Sequence, residues 1–174
     1  MNISKFSEQL IVNEGLKLKT YLDSLNIPTI GVGFNLTRHD APKKIEALGL
    51  NFEEIKKGEK ELTKNQAKQL LETDILSSLK DAKDIFKNFS SLGEERQFVI
   101  LDMTFNLGKT KLSTFKKFIL AVEQENFQKA AEEMQNSNWA KQVGYRATRN
   151  IEAMKSNIFP SEVVISPKKS NNIF

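Results

Sequence analysis

The chain has 174 residues, of which 39% are hydrophobic and 28% charged, and its formal net charge is +4. These proportions are typical of a folded globular protein, and we expect a single domain over residues 1–174. The absence of cysteine excludes disulfides, thiolate nucleophiles and cysteine zinc ligands. No apolar run has the length of a membrane span or of a signal peptide core, so we expect synthesis in the cytoplasm and no stable membrane association.

The first predicted element is a short amphipathic helix over residues 3–13, in which three apolar side chains keep helical spacing: Ile3, Phe6 and Leu10. Gly15 follows at a position where glycine commonly ends a helix. Glu14 is therefore expected at the C-terminal end of this helix.

Residues 16–34 change to two short β-rich runs, LKTYL and TIGVGF, which are separated by turn-forming residues. This pattern predicts a β-hairpin and a small, exposed sheet. If the hairpin turns at Asn26, then Asp23 and Thr29 face each other across it.

The longest predicted helix covers residues 63–86 and follows a polar stretch with two weaker helical patches, around 42–48 and 52–57. Thr63 and Gln66 match a capping box, and apolar side chains keep helical spacing for more than twenty residues. A helix of this length can join two lobes.

The second lobe is predicted to centre on an apolar helix over residues 96–107, with Ser91 as its N-cap and Gly108 at its end. Three or four shorter helical segments follow, as far as Met154, and we expect them to wrap the central helix. Residues 160–174 are expected to form an irregular tail.

This order of elements predicts a mostly α-helical α+β fold in two lobes. We expect an N-lobe of about residues 14–62 that holds the small sheet, and a linking helix over about 63–86. A helical C-lobe of about residues 91–159 follows, and the helix over 3–13 belongs with it.

Several reaction classes lack the residues they need. The one histidine, His39, lies in a polar stretch, so a zinc site of His/Cys type and a Ser-His-Asp triad have no framework. We expect His39 at the surface. The GVG of TIGVGF lacks the third glycine of a dinucleotide loop, and the chain has no P-loop motif. We therefore expect no metal and no cofactor.

Carboxylate chemistry remains. The partial negative charge at a helix C-terminus disfavours a further anion, so the position of Glu14 favours a carboxyl group that keeps its proton. Asp23 beside the Thr29 hydroxyl could hold a water molecule. A proton donor on one side, with a carboxylate and an ordered water on the other, is what glycoside hydrolysis by single displacement requires. Taken singly, each of these residues is also common at protein surfaces.

The segment NEGLKLKTYLDSLNIPTIGVGF resembles the catalytic segment of the T-even phage lysozyme family, in which Glu, Asp and Thr have the spacing of Glu14, Asp23 and Thr29. LTKNQAKQLLETDI resembles that family's inter-lobe helix. ILDMTFNLGKTKLSTF and NSNWAKQVGYRATR resemble its C-lobe core and final helices. The resemblance covers about residues 3–159, and it implies a two-lobed, lysozyme-like fold with a glycan cleft between the lobes.

The resemblance implies a role for each catalytic position. Glu14 is the general acid, Asp23 the second carboxylate, and Thr29 the residue that orders the nucleophilic water in an inverting reaction. Arg146 matches an arginine that pairs with the catalytic glutamate. By itself such a cation favours the ionised acid, against the effect of the helix end.

Further positions match the family in place, and some differ from it in type. Trp139 and Asn106 match a pair that packs lobe against helix. The implied substrate-binding residues, of which Phe105 alone keeps the family's type, are Phe105, Asn35, Phe118 and Glu133.

Two departures from the family concern the N-lobe. Phe34 stands where the family has a histidine that pairs with the aspartate equivalent to Asp74, so Asp74 needs another partner. The stretch between Asn35 and Leu62 is longer than the family minimum.

The predicted function is therefore that of an endolysin, which hydrolyses the β-1,4 bonds between N-acetylmuramic acid and N-acetylglucosamine in bacterial peptidoglycan. We expect a monomer that acts on the cell wall after release, with access through a holin lesion or a delivery system. The alternatives are a lytic transglycosylase and a cell-wall-binding or toxin domain without turnover. A nucleic-acid-binding protein is suggested only by the basic charge, and we expect no nucleic acid partner.

Overall fold

A small antiparallel sheet and a larger set of helices make up residues 2–159, the part of the chain that the computed structural model describes. The strands are β1 (Lys17–Leu22), β2 (Pro28–Gly31) and β3 (Phe34–Asn35). The helices are α1 (Ile3–Glu14), α2 (Ala41–Glu46), α3 (Phe52–Lys56), α4 (Lys64–Ile85), α5 (Glu94–Leu112), α6 (Lys116–Glu123), α7 (Phe127–Gln135), α8 (Asn138–Val143) and α9 (Tyr145–Ser156). The predicted mostly α-helical α+β fold is confirmed.

α1 ends where the sequence predicts. Gly15 has a φ of +78°, which favours glycine, and its N–H donates to the carbonyl of Ile11 at 2.9 Å. The other end is capped by Asn2, whose side chain accepts a hydrogen bond from the N–H of Lys5 at 3.2 Å. Glu14 is thus the last residue of α1, and two residues separate it from the start of the sheet at Lys17.

The sheet has three strands in the order β1-β2-β3, so the predicted hairpin is incomplete: β3 adds a third strand. Thr29 lies on the central strand, opposite Tyr21 on one side and Asn35 on the other. The predicted pairing of Asp23 with Thr29 is wrong. The hairpin closes with the N–H of Asp23 donating to the carbonyl of Ile27 at 3.1 Å.

α4 connects the hydrophobic clusters of the molecule. The predicted capping box is present: Gln66 N–H donates to Thr63 Oγ1 at 3.2 Å, and Thr63 N–H donates to Gln66 Oε1 at 2.9 Å. Ala67 belongs to the N-terminal cluster with the sheet, α2 and α3, and Ile75 to a middle cluster with α1 and α5. Ala82 belongs to the C-terminal cluster with α5–α9. One helix therefore supplies side chains to both lobes and to their junction.

α5 differs from the prediction at both ends. Ser91 lies in a short 3₁₀ turn, where its hydroxyl donates to the carbonyl of Asn88 at 2.8 Å, so it is not the N-cap. Gly93 occupies that position instead. Gly108 breaks the helical backbone with φ 73° and ψ 161°, but helical structure continues beyond it to Leu112.

Four helices, α6 to α9, follow α5 and pack around its apolar face, as predicted. The predicted irregular tail, residues 160–174, lies outside the described residues. Within residues 2–159, none of the helices combines the length and apolar character needed to cross a bilayer.

Candidate active site

The Glu14 carboxylate lies at the C-terminal end of α1 and faces Arg146 on α9. Its Oε1 accepts a hydrogen bond from Nη1 of Arg146, and the Glu14 side chain is 31% exposed. The pairing predicted from the resemblance is therefore present, and Glu14 remains accessible to a substrate.

Asp23 and Thr29 both form hydrogen bonds with the backbone of Ile27. Asp23 Oδ1 accepts hydrogen bonds from the N–H groups of Leu25 and Ile27, at 2.8 and 2.9 Å. The Thr29 hydroxyl donates to the carbonyl of Ile27 at 2.9 Å. Among residues 2–159, no group donates a hydrogen bond to Asp23 Oδ2. The two side chains are thus linked through the backbone of Ile27, although they are not directly opposed.

Tyr21 is a neighbour of both carboxylates. Burial, followed by the charges of Asp23 and Glu14, raises the pKa of the Tyr21 hydroxyl above its usual value. Lys17 lies over the Tyr21 ring, with its Nζ 3.9 Å from the ring centre. Both carboxylates therefore act on one aromatic residue of β1, a neighbour that the sequence patterns did not identify.

Behind Arg146 lies a buried carboxylate that the sequence analysis also missed. Asp102 on α5 accepts from Arg146 Nε at 2.9 Å and from Nη2 at 2.6 Å. Asn150 on α9 donates to Asp102 Oδ2 at 2.7 Å. The signal was available in the sequence, because Asp102 is the one charged residue in the apolar run FVILDMTF.

The four candidate substrate-binding residues differ in accessibility. Phe118 is 1% exposed and stacks edge-on against Phe86, so its ring belongs to the C-terminal core. Glu133 pairs with Lys129 at 3.1 Å, and together with Phe118 it lines a surface groove. Direct contact of the Phe118 ring with a sugar would require this packing to open.

The other two candidates lie nearer the sheet and α5. Asn35 pairs with Thr29 in the sheet, and its Oδ1 accepts from the N–H and the hydroxyl of Thr37 at 2.6 and 2.7 Å. Phe105 is partly buried against the middle cluster. A role in substrate binding stays a prediction for all four residues.

Asp74 has the replacement partners that the sequence analysis left open. Arg38 Nη1 and Lys44 Nζ contact its two oxygens at 2.8 and 2.5 Å. The Arg38 guanidinium also lies over the Phe34 ring, 4.8 Å from its centre. Phe34 thus joins the N-terminal core while the cation that stacks on it pairs with Asp74.

Two further expectations are met. Trp139 is 1% exposed and its Nε1 donates to Asn106 Oδ1 at 3.1 Å, which fixes α8 against α5. His39 is exposed. Within residues 2–159, no three His, Cys, Asp or Glu side chains are grouped as a metal site would require.

Comparisons with known proteins identify the family to which the chain is similar. A family model described as phage lysozyme matches residues 12–154. Two probable T4-type lysozymes of Dictyostelium discoideum are 27% and 28% identical; each match covers 88% of this chain and 95% of the relative. The pre-baseplate central spike protein Gp5 of Enterobacteria phage T4 is 27% identical over 82% of this chain, which corresponds to 26% of that longer protein.

Proposed function

The chain belongs to the phage lysozyme family and is a glycoside hydrolase of lysozyme type, and we propose that Glu14, Asp23 and Thr29 perform its reaction on peptidoglycan. The bond cleaved is the β-1,4 bond between N-acetylmuramic acid and N-acetylglucosamine. One observation carries the proposal: Thr29 lies opposite Tyr21 in the sheet, and the Glu14 and Asp23 carboxylates are both close enough to Tyr21 for their charges to act on its hydroxyl.

Glu14 is the general acid in this mechanism. It protonates the leaving glycosidic oxygen, and Arg146 holds its carboxyl group in place. As the bond breaks, the sugar develops oxocarbenium character, which the charge of Asp23 stabilises.

The hydrogen bonds around Asp23 and Thr29 define how the water is held. Because the Thr29 hydroxyl donates its proton to the Ile27 carbonyl, it acts towards a water only as an acceptor. Asp23 Oδ2 is a second acceptor. A water that donates one hydrogen to each oxygen directs a lone pair away from the hairpin, towards the anomeric carbon. Attack from the face opposite Glu14 inverts that carbon, and the proton that the water loses passes to the Asp23 carboxylate.

A lytic transglycosylase needs a glutamate acid but uses a hydroxyl group of the substrate in place of water. Two acceptors arranged for one water favour hydrolysis over that alternative. Mass spectrometry of the products separates them, because hydrolysis gives reducing ends and transglycosylation gives 1,6-anhydro ends. We further propose that the protein acts as a monomer on the cell wall, reached through a holin lesion or a delivery system.

A turbidity assay on purified cell walls tests the catalytic assignment. Glu14→Gln removes the acid without changing its size, and Asp23→Asn removes the second carboxylate. We expect Glu14→Gln to lower the clearing rate by about 10²–10⁴-fold, the usual contribution of general acid catalysis. Asp84→Asn is the control for loss of one carboxylate, since Asp84 pairs with Lys109 on α5 and lies outside the site. Clearing by Glu14→Gln within about tenfold of the wild type would refute the mechanism.

A further inference from the structure

Asp102 is a charged residue in an environment that does not favour charge. It lies on α5 between Leu101 and Met103, both fully buried, and is itself 4% exposed. A buried carboxylate is costly unless it is paired and hydrogen-bonded. Its position therefore requires an explanation from its partners.

Those partners are two side chains of α9, one turn apart. Arg146 gives Asp102 two parallel N–H donors, the strongest arrangement for a guanidinium and a carboxylate. Asn150 supplies a third hydrogen bond. The remaining Arg146 nitrogen, Nη1, contacts Glu14. The guanidinium thus bridges a buried carboxylate and the exposed carboxyl group of the site.

This bridge changes what Arg146 does to Glu14. A lone cation beside an acid favours the ionised acid, which cannot donate a proton. A cation that is already paired with a buried carboxylate acts on the acid as part of a neutral ion pair. The electric field of such a pair decreases with distance faster than the field of a single charge. The geometry can therefore orient Glu14 without forcing it to ionise.

We propose that Asp102 is a positioning residue for the reaction: it fixes the Arg146 guanidinium against Glu14 and compensates the charge of that guanidinium. The inference rests on the proposed role of Glu14 as the acid. It deepens that role by assigning to a residue of the C-lobe core a function in the reaction.

The charges around the network agree with this inference. Burial opposes the charge of Arg146, but the hydrogen bonds and charge of Asp102 raise the pKa of Arg146 above its usual value, so Arg146 remains a cation. From the sheet, Tyr21 faces Glu14, with Asp23 beyond it. The other arginine on this part of α9, Arg149, lies instead over the Phe159 ring, 5.4 Å from its centre.

From α7, which also packs against α9, the charged groups are Lys129, Glu132 and Glu133, and they pair with one another. α8 contributes Lys141, which lines a different groove. Among the described residues, Asp102 is therefore the anion that compensates Arg146 from behind.

Asp102→Asn tests the inference, because it keeps the shape and an acceptor oxygen but removes the charge. We expect the alkaline limb of the pH–activity profile to move to lower pH by about one unit, and activity on that limb to fall about tenfold. Activity on the acid side should change little. Asp102→Glu keeps the charge and should leave the alkaline limb of the profile near its wild-type position. Asp84→Asn, the control, should not move this limb.

Nuclear magnetic resonance follows the network without relying on turnover. The carboxyl carbon signal of Glu14 should titrate at a lower pH in Asp102→Asn than in the wild type. In the wild type, the Nε–H proton of Arg146 should exchange with solvent at least about tenfold more slowly than that of free arginine. This measurement needs only the wild-type protein, so it can be made even if Asp102→Asn does not fold.

The outcomes of these experiments distinguish the inference about Asp102 from the proposed role of Glu14. A uniform loss of activity at all pH values, with an unmoved limb, would show that Asp102 has only a structural role. Fast exchange of the Arg146 proton would also overturn the inference. If instead the Glu14 signal shifts as expected but Glu14→Gln remains active, the network is as described and the proposed function is wrong.

Discussion

The Thr29 hydroxyl is the most constrained of the three proposed catalytic groups. It is on the central strand, is 4% exposed, and donates its proton to the Ile27 carbonyl. A side chain held in this way presents its lone pairs in one direction, which is what an ordered water requires.

Thr29→Val is expected to abolish that acceptor while keeping the shape of the side chain. Activity on cell walls should fall by about 10²-fold or more, and the free energy of unfolding by about 1 kcal/mol for the lost hydrogen bond. Thr29→Ser is the matched control and should keep most of the activity. Equal activity of Thr29→Val and Thr29→Ser in the turbidity assay would exclude a role for the hydroxyl.

Individual residues also show what the sequence could predict about the site. The place of Glu14 followed from Gly15, because a helix end is a local property. The relative positions of Asp23 and Thr29 could not be predicted from the sequence in the same way. Asp23 caps the N–H groups of the turn and Asn26 takes a positive φ of 58°, and the turn centres on Leu25, one residue earlier than the symmetry about Asn26 implies. The Asp102 contact with Arg146 joins residues 44 positions apart, which no local pattern encodes.

At the scale of elements, an ion-pair cluster ties the start of α2 to α4. Arg38 and Lys44 each contact both Asp40 and Asp74. The resemblance predicted only that Asp74 needed a partner. The partners could not be predicted because Arg38 and Lys44 lie 36 and 30 positions from Asp74, a separation that no local pattern encodes.

This cluster predicts a component of acid unfolding. Hydrogen bonds from Arg38 are the largest cause that lowers the pKa of Asp40 from 3.8 to about 2. Because the pKa is depressed in the folded state, the stabilisation is present above about pH 4 and is lost as the pH falls towards 2. Asp40→Asn should therefore be less stable than the wild type at neutral pH and lose less stability over that interval. Since Asp40 is 42% exposed, high salt should reduce the difference.

Urea unfolding at a series of pH values measures this effect. Glu46→Gln, which alters an exposed carboxyl group on α2, is the control and should follow the wild type. Parallel stability curves for Asp40→Asn and the wild type between pH 4 and 2 would contradict the assignment.

At the scale of the whole molecule, α4 determines whether the two lobes behave as one unit. Its capping box and its apolar spacing made it the best-predicted element of the sequence, since both signals are local. Its successive turns enter three clusters in order, from the sheet to the junction and then to the C-lobe. The sheet and α1, which carry the proposed catalytic residues, both pack against this one continuous helix.

Ile75 lies at the middle of that helix, fully buried in the junction with α1 and α5. Ile75→Ala should lower the free energy of unfolding by about 2–5 kcal/mol, because it leaves a cavity between the lobes. The adjacent Leu76 is 54% exposed, so Leu76→Ala is a matched control that should cost less than about 1 kcal/mol. Since α4 belongs to both lobes, calorimetry should record one cooperative transition in the wild type and in both variants. Two separate transitions in Ile75→Ala, with only one of them shifted, would show that the lobes are coupled by Ile75 packing rather than by the continuous helix.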